Sequence, residues 1–199
     1  MAHASAHTDT FAHDNLPPID TWPELLLDGF EYPDHLNGGT ELTDAMVTKG
    51  FGDHTALIGN GRRRTYKELT DWTNRIAHVL VDDLGVQPGN RVLIRSANNP
   101  AMVACWLAAT KVGAVVVNTM PMLRASELSK YVDKAQIAFA LCDTRLMEEL
   151  EACAARNPTL KRVMGFDGTS NHEAELDRLA LEKPVRFDAI PTTQDDVAL

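Results

Sequence analysis

The sequence predicts an α/β fold: a mostly parallel sheet with flanking helices and one β-hairpin. The first supporting observation is the stretch from residue 91 to residue 128. Two short apolar runs, residues 92–94 and 114–117, flank apolar residues that recur at helical spacing between Met102 and Val112. Two strands joined by a helix favour a right-handed crossover, so we expect the strands to lie parallel and side by side.

The second observation is that helix-like and strand-like segments keep alternating after this stretch. This alternation is typical of a mostly parallel sheet. The predicted elements are a helix over residues 125–135 with Leu128, Tyr131 and Val132 inward, a strand over 137–141, a helix over 144–156, a strand over 162–166 and an acidic amphipathic helix over 172–182.

The third observation is a β-hairpin signal in front of the parallel strands. Strand-like residues 55–58 and 62–66 flank Asn60-Gly61, which favours a two-residue turn with positive φ. Gly59-Asn60-Gly61 begins like a dinucleotide-binding fingerprint, but it joins two strands and Arg64 replaces the third glycine. We therefore interpret residues 62–64, three arginines, as the solvated face of a hairpin.

A capped helix follows the hairpin. Thr65 and Glu68 have the spacing of a capping box, in which each side chain accepts from the other residue's backbone N–H. Apolar residues then mark one helix face as far as Leu84, and Gly85 suits the left-handed position that ends a helix. A shorter helix is predicted over residues 41–49, with Leu42 facing inward.

Residues 1–40 are interpreted as an extended leader rather than packed elements, because four prolines and a Gly-Gly pair interrupt them. Its histidines, His3, His7 and His13, are interpreted as solvated rather than metal-binding. The leader also contains an apolar cluster that we expect to hold it against the main body; its members are Trp22, Leu25, Leu26, Leu27 and Phe30.

Composition excludes several classes of protein. The 199 residues carry a net charge of −9, which argues against nucleic acid and anionic membranes as partners. Cys105, Cys142 and Cys153 are odd in number and unpaired in spacing, so we expect buried thiols in a reducing compartment. The sequence has no signal peptide and no apolar run long enough to span a membrane. These features predict a cytoplasmic protein.

No group of residues in the sequence can catalyse a reaction by itself. Glycine-rich phosphate loops, G-x-S-x-G elbows and paired-histidine metal motifs are missing, so we assign no catalytic and no metal-binding residue. His54 and His78 are interpreted as structural, since a lone histidine is more often structural than catalytic. Adjacent carboxylates face different ways on a helix and are interpreted as solvated surface; they are Asp82-Asp83, Glu148-Glu149 and Asp195-Asp196.

A series of ordered motifs resembles the adenylate-forming enzymes, the acyl-CoA synthetase and ligase superfamily. The resemblance covers residues 41–199, with Asn90 in place of the usual Asp and Pro121 displaced within its turn. The matching segments are T-Y-K-E-L at residues 65–69, Q-P-G-N-R-V at 87–92, A-N-N-P at 97–100, K-V-G-A-V at 111–115, the N-P-type turn at 118–128 and D-D-V-A-L at 195–199.

The resemblance implies the N-terminal part of the large domain of a CoA ligase. The leader is most similar to that of 2-aminobenzoate–CoA ligases, which suggests a role in aromatic acid degradation. The implied reaction uses ATP and Mg²⁺ to convert an aromatic carboxylate into an acyl-adenylate, from which the CoA thiol displaces AMP. In that family the phosphate loop, the acidic ligands, the hinge and the catalytic lysine lie beyond the position of Leu199. Residues 197–199 begin an apolar strand after a polar linker over 191–196, so we expect a truncated domain that lacks activity.

The resemblance also implies one candidate binding residue for CoA. A cation after the N-P turn contacts the CoA nucleotide in related aryl-CoA ligases, and the matching position here is Met122. Because a methionine cannot bind phosphate, we assign the role to Arg124, two residues on. A solvated arginine at a helix start is the alternative.

Two alternatives to the aromatic acid ligase stay open at this point. The chain could belong to a fatty acyl- or benzoate–CoA ligase, or it could be a non-catalytic binding module. The oligomeric state is not predicted.

Overall fold

The computed structural model describes residues 4–24, 29, 31–169 and 173–199, and within them the chain forms the predicted α/β fold around a parallel sheet. Four strands lie in the order β4-β3-β5-β6, and every neighbouring pair is parallel. Their bounds are β3 (Arg91–Arg95), β4 (Val115–Thr119), β5 (Phe139–Asp143) and β6 (Arg162–Phe166). The predicted crossover is confirmed, because β3 and β4 pair directly from Arg91–Val115 to Arg95–Thr119.

Helices flank the sheet and a two-stranded hairpin precedes it. The hairpin strands are β1 (Thr55–Gly59) and β2 (Arg62–Thr65). The helices are α1 (Phe11–Asp14), α2 (Gly38–Glu41), α3 (Asp44–Met46), α4 (Tyr66–His78), α5 (Pro100–Lys111), α6 (Ala125–Ala135), α7 (Met147–Ala154) and α8 (Glu175–Glu182).

The strands divide the core into two layers because successive side chains of a strand point to opposite faces of the sheet. Val92 and Ile94 join a cluster with the buried faces of α4, α5 and α8. Leu93, between them, joins a second cluster with α6 and α7. The three cysteines are buried free thiols in these layers, as predicted.

Local sequence signals produce the segment from the hairpin to β3 as predicted. Asn60 (φ 51°) and Gly61 (φ 70°) both have positive φ at the tip of the hairpin. Thr65 Oγ1 accepts from the Glu68 amide at 3.2 Å, while Glu68 Oε2 accepts from the Thr65 amide at 2.8 Å. A wider helical turn, Val79–Asp83, continues α4, and Gly85 ends it with φ 76°.

The helix predicted over residues 41–49 is wrong in its extent. The structure has two helices, α2 and α3, separated at Thr43, whose backbone leaves the helical region (φ −128°, ψ −83°). A wider helical turn, Val47–Phe51, continues α3, so residues 44–49 are helical as predicted. Thr43 Oγ1 donates to the Gly39 carbonyl at 2.5 Å, so Thr43 is buried and Leu42 is exposed. Asn37 caps the first helix by accepting from the Thr40 amide at 3.1 Å.

Two further predictions around α6 and β5 need correction. Gln136 takes a left-handed conformation (φ 49°) after α6, so the next strand begins at Phe139, two residues later than predicted. Tyr131 is exposed rather than inward, while Leu128 and Val132 are buried as expected.

The leader is not a purely extended segment. It contains α1 and a single helical turn, Ile19–Thr21, and it is fixed to the sheet through Asp9, whose Oδ2 accepts from Arg91 Nη1 at 2.5 Å. The Phe11 ring lies 4.6 Å from the Arg91 guanidinium carbon. A Cβ on Gly89 would overlap the Asp9 carbonyl, so glycine is needed there.

The predicted anchors of the leader differ from the observed ones. His7 is buried rather than solvated. Burial lowers the pKa of His7, the nearby carboxylates of Asp196 and Asp9 oppose this shift, and the charge of His13 adds to it. Trp22 is half exposed and donates to the Pro17 carbonyl at 2.8 Å within the leader itself. His13 is exposed as predicted. Of the other predicted members, His3, Leu25, Leu26, Leu27 and Phe30 lie outside the described residues.

A buried lysine connects three helices on one face of the sheet. Lys111, at the end of α5, is fully buried and bonds to Asp44 of α3 and, at 2.5 Å, to Asn74 Oδ1 of α4. Burial lowers the pKa of Lys111, and the Asp44 carboxylate opposes that shift. The charge is therefore compensated inside the protein rather than by water.

The last residues lie along the outer edge of the sheet. The segment predicted as a polar linker is packed, with Thr192 and Thr193 buried, and the Leu36 amide donates to the Thr192 carbonyl at 2.8 Å. The Val116 amide of β4 donates to the Ala198 carbonyl at 2.9 Å, although residues 197–199 are not assigned to a strand.

We predict that Asp9→Asn lowers the free energy of unfolding by about 1–3 kcal/mol at pH 7, because the buried Arg91 loses a charged acceptor. Burial raises the pKa of Asp9, but hydrogen bonds from Arg91, the Phe11 amide and Asn90 outweigh it and lower the pKa below its usual value. The stabilisation is therefore complete above the unfolded pKa of about 3.9 and is lost as the pH falls through the folded value. Urea denaturation of both proteins at several pH values measures this difference in the free energy of unfolding.

Asp14→Asn is the matched control, since Asp14 lies in the same leader and is largely exposed. We expect a change within about 0.5 kcal/mol for this variant. Equal losses for the two variants at pH 7 would show that the Asp9–Arg91 pair does not anchor the leader.

Candidate functional site at the carboxyl ends of the strands

The parallel strands bring the four segments that follow them to one edge of the sheet. Ligands bind at this edge in open α/β sheets, because the loops after the strands converge there. The segments that follow the strands are residues 96–99 after β3, 120–124 after β4, 144–146 after β5 and 167–169 after β6. The tip of the hairpin reaches the same edge, where Asn60 Nδ2 donates to the Gly168 carbonyl at 2.8 Å.

Asn99 organises the loop after β3. Its Oδ1 accepts from the Met102 amide at 2.9 Å and so caps α5, while Pro100 occupies the first helical turn. Its Nδ2 donates to Ser96 Oγ at 2.9 Å and lies 3.4 Å from Asp143 Oδ2 of β5. A single side chain therefore joins the ends of β3 and β5.

Asp143 is a buried carboxylate at the end of β5. Its Oδ1 accepts from Arg145 Nε at 2.9 Å and its Oδ2 from Arg145 Nη2 at 2.5 Å. Burial raises the pKa of Asp143, but the hydrogen bonds from Arg145 outweigh it, so the carboxylate stays ionised. A Cβ on Gly168 would meet this cluster, with Arg145 Nη2 and Asn99 Nδ2 at 2.8 Å, so the loop after β6 passes close to it.

Arg95, the last residue of β3, holds the loop after β4 in place. Its side chain is 1% exposed, and its guanidinium donates to the carbonyls of Met120 (3.0 Å), Pro121 (2.9 Å) and Leu123 (2.8 Å). Its Nε also donates to the Leu146 carbonyl at 3.3 Å. Four backbone acceptors from two loops therefore surround one buried cation.

Arg124, the predicted CoA-binding residue, lies at the end of this loop, directly before α6. Its side chain is 76% exposed, and Nη1 donates to Glu149 Oε1 of α7 at 2.8 Å. The hydrogen bond with Glu149 raises the pKa of Arg124 and lowers the pKa of Glu149. Glu149 Oε2 also accepts from the Ala125 amide at 2.8 Å, so it satisfies a donor at the start of α6.

A cavity of about 440 Å³ opens beside Arg124. Its walls come from the loops after β4 and β5, and Arg95 forms part of its inner surface while Met122 is highly exposed. Two further cations, Arg124 and Arg145, and two glutamates, Glu148 and Glu149, line it. The cavity can accommodate a ligand that carries negative charge near Arg124.

Other candidate residues lie away from this edge or have different partners than predicted. Of the arginines predicted to be solvated, Arg62 and Arg63 are exposed but Arg64 is buried. Each acidic pair is engaged rather than free. Asp82 and Asp83 both pair with Lys183, at 3.2 Å and 2.7 Å, Glu149 pairs with Arg124, and Asp196 accepts from the Thr193 amide at 2.8 Å. His78 is structural as predicted, with Nε2 2.8 Å from the Arg186 carbonyl.

Sequence reasoning missed Arg95, Asp143 and Asn99 as members of this site. The available signal was position: each lies at or just after the carboxyl end of a predicted parallel strand. Within the described residues no group of three or more His, Cys, Asp or Glu side chains could hold a metal ion. Among the helices that the structure describes, none is long and apolar enough to cross a membrane.

Comparison with known protein families shows which family the chain belongs to. The family model described as AMP-binding enzyme matches residues 45–199, most of the chain. The chain belongs to the AMP-binding enzyme family. The ordered motifs that resemble adenylate-forming enzymes, and the α/β architecture, agree with this membership.

Curated relatives include ligases for aromatic acids. Benzoate–CoA ligase of Thauera aromatica is 26% identical over 184 residues, which is 92% of this chain and 33% of that protein. 3-Hydroxybenzoate–CoA ligase of Aromatoleum sp. (strain CIB) is 24% identical over 163 residues, 82% of this chain and 31% of that protein. The chain therefore spans about a third of the length of these relatives.

Solved structures of the same family share the fold. The anthranilate CoA ligase AuaEII in complex with anthranoyl-AMP superposes with a TM-score of 0.74 at 17% identity, over 84% of this chain and 31% of that one. A benzoate CoA ligase from Burkholderia xenovorans LB400 has a TM-score of 0.71 at 20% identity, over 82% of this chain and 32% of that one. At these identities the likeness establishes the architecture only.

We predict that Arg95→Lys lowers the free energy of unfolding by about 1–3 kcal/mol, because a lysine lacks the planar fork and leaves buried carbonyls unpaired. Amide hydrogen exchange should also accelerate within residues 120–124. Mass spectrometry of peptides from this loop measures the change.

Arg162→Lys is the control for this variant, since Arg162 begins β6 at the opposite end of the sheet and is exposed. Arg162→Lys should leave the free energy of unfolding and the amide exchange of residues 120–124 unchanged. Unaltered exchange in residues 120–124 of Arg95→Lys would contradict the role given to Arg95.

Proposed function

We propose that this chain is the front part of an ATP-dependent aromatic carboxylate–CoA ligase that acts on 2-aminobenzoate. Residues 1–40 form its leader and residues 41–199 the beginning of its synthetase domain. The observation that carries the proposal is the family match over residues 45–199 together with relatives named as benzoate– and 3-hydroxybenzoate–CoA ligases. The choice of 2-aminobenzoate is supported by the leader sequence and by a structural neighbour named as an anthranilate CoA ligase, anthranilate being the same acid.

The proposed reaction joins the carboxylate to CoA through an acyl-adenylate. ATP would supply the adenylyl group and Mg²⁺ would neutralise phosphate charge. The described residues of this chain do not provide a three-ligand metal site, so we assign no Mg²⁺ ligand here. The contribution of this chain is to shape the edge of the sheet at which the loops after the strands converge.

Arg124 is the residue of this chain that fits a CoA phosphate. Its guanidinium is exposed at the mouth of a cavity, and its backbone is fixed because Arg95 binds the loop in front of it. Planar guanidinium groups bind phosphate oxygens through paired hydrogen bonds. Glu149 would compete with the phosphate for Arg124, so the strength of CoA binding should depend on both side chains.

The proposal includes a setting in the cytoplasm, supported by three free buried thiols. The proposed partners are the small aromatic carboxylate, ATP and CoA. The net charge of −9 argues against nucleic acid or an anionic membrane surface as a partner.

In the complete ligase that contains this chain, Arg124→Ala should raise the KM for CoA about tenfold while leaving the KM for ATP unchanged, because one charge-assisted contact to phosphate is lost. Glu149→Gln should lower the KM for CoA, since the amide can still accept from Ala125 but no longer neutralises Arg124. Steady-state kinetics with CoA as the varied substrate measure both effects.

Arg156→Ala is a charge-matched control, because Arg156 is exposed and follows α7 outside the cavity. Its KM for CoA should equal that of the unchanged enzyme. If Arg124→Ala also leaves this KM unchanged, Arg124 does not bind CoA, although the ligase activity itself would still stand.

The acid specificity of the complete enzyme tests the reaction class. We expect pyrophosphate release to be faster with 2-aminobenzoate than with benzoate or a medium-chain fatty acid, and the 199-residue chain alone to show none. Preference for a fatty acid would overturn the aromatic assignment, and release by the isolated chain would overturn its proposed inactivity. Failure of any carboxylate to release pyrophosphate would favour a non-catalytic binding module.

A further inference from the structure

A second cavity lies between the hairpin, α4 and α8, and it contains a buried arginine. Arg64 of β2 is only 7% exposed, and its guanidinium carbon lies 4.4 Å from the centre of the Trp72 ring. The cavity has a volume of about 300 Å³ and shares no lining residue with the cavity beside Arg124. Its size is at the lower end of the range found for small-molecule sites.

Arg64 differs from the other buried arginines in what surrounds its guanidinium. Its Nη2 is completely buried and has no hydrogen-bond partner among the described residues. Burial and the neighbouring charge of Arg62 lower its pKa, against an opposing effect of Glu68. A buried guanidinium with an unpaired donor is costly, so an acceptor on the side of the guanidinium that lines the cavity would be favoured.

The other cations of this cavity are already engaged. Arg62 Nη2 donates to Glu68 Oε1 at 3.1 Å. Arg75 Nη1 donates to the carbonyls of Leu181 (2.6 Å) and Lys183 (2.8 Å) at the end of α8. A ligand would therefore gain most by bonding to Arg64.

The carboxylates around the cavity have donors as well. Asp71 Oδ2 accepts from Lys67 Nζ at 3.0 Å, and Asp177 Oδ2 accepts from the Asp167 amide at 2.8 Å. With Glu68 they place three negative charges beside the three arginines that line the cavity. Because these charges balance, a single negative charge on the ligand fits better than the double charge of a phosphate.

The remaining wall is apolar. This apolar part of the wall consists of Trp72, Ala180 and the exposed Leu181, next to the Arg64 guanidinium. A ligand for this surface needs one carboxylate and an apolar body. We propose that this cavity binds a small monocarboxylate, whose carboxylate accepts from Arg64 while its apolar part contacts Trp72 and Leu181.

This cavity shares no lining residue with the cavity beside Arg124, and the proposal does not rest on the proposed ligase function. The two are distinguished by where a ligand changes the protein. A carboxylate bound here perturbs the Arg64 and Trp72 side chains, whereas one bound at the carboxyl ends of the strands perturbs Asn98 and Asn99.

Benzoate is the probe, titrated into the ¹⁵N-labelled 199-residue chain while the Arg64 Nε–H and Trp72 indole signals are followed by NMR. We expect saturable shifts of both signals, and at least a tenfold weaker affinity for the neutral isostere benzamide, as the loss of a charged hydrogen bond implies. Inorganic phosphate should bind more weakly than benzoate. Absence of saturation up to about 10 mM benzoate, or tighter binding of phosphate, overturns the proposal.

The chain provides a matched pair of variants. Arg64→Gln should weaken benzoate binding at least tenfold, whereas Arg63→Gln should leave it unchanged, because Arg63 is the exposed neighbour on the other face of the same strand. Should Arg64→Gln fail to fold, Arg64→Lys, which keeps the charge but loses the planar fork, should weaken binding several-fold. Unchanged affinity in the folded Arg64 variant, or an equal loss in Arg63→Gln, overturns the proposal.

Discussion

The edge of the sheet that carries the candidate site depends on the buried guanidinium of Arg95. Four backbone carbonyls from the loops after β4 and β5 accept its hydrogen bonds, so a full positive charge is compensated by dipoles and not by a carboxylate. Withdrawing any one of these carbonyls would leave a buried donor unpaired, which is costly. These hydrogen bonds fix the backbone conformation of the loop after β4. That conformation determines where α6 begins and where the Arg124 side chain lies.

The same principle recurs at two other arginines. Arg91 donates to the carbonyls of Gly89, Ala135 and Gln136 in addition to Asp9, and Arg75 donates to the carbonyls at the end of α8. Each therefore holds the backbone carbonyls of a neighbouring segment in place. Lys111 differs, since its partners Asp44 and Asn74 are side chains, and it joins helices rather than loops.

Local patterns in the sequence predicted most of the architecture because their physical causes are local. Positive φ at Asn60-Gly61, the capping box at Thr65 and the helical spacing of α5 each depend on neighbours within a few residues. The burial of His7 and Arg64 could not be predicted in this way, since it depends on residues that are distant in sequence. Asp196 acts on His7 from 189 positions away, and the cavity that contains Arg64 is closed by Asp177, Ala180 and Leu181 of α8.

The candidate site shows the same division between local and distant causes. A motif placed Arg124 after the turn that follows β4, and the structure has it there. Its partner Glu149 lies 25 residues away on another helix. From the sequence alone, Glu149 was interpreted as solvated surface. Motif position can therefore predict which residue faces a cavity, but whether its charge is free is decided by tertiary contacts.

Backbone acceptors also make the contacts of these arginines independent of the side chains on the accepting residues. A carbonyl oxygen stays in place whichever side chain its residue carries, so the partners of Arg95, Arg91 and Arg75 survive substitution of the residues that supply them. Because Arg95 uses main-chain partners alone, the side chains of the loop that it binds, including Met122, take no part in these hydrogen bonds.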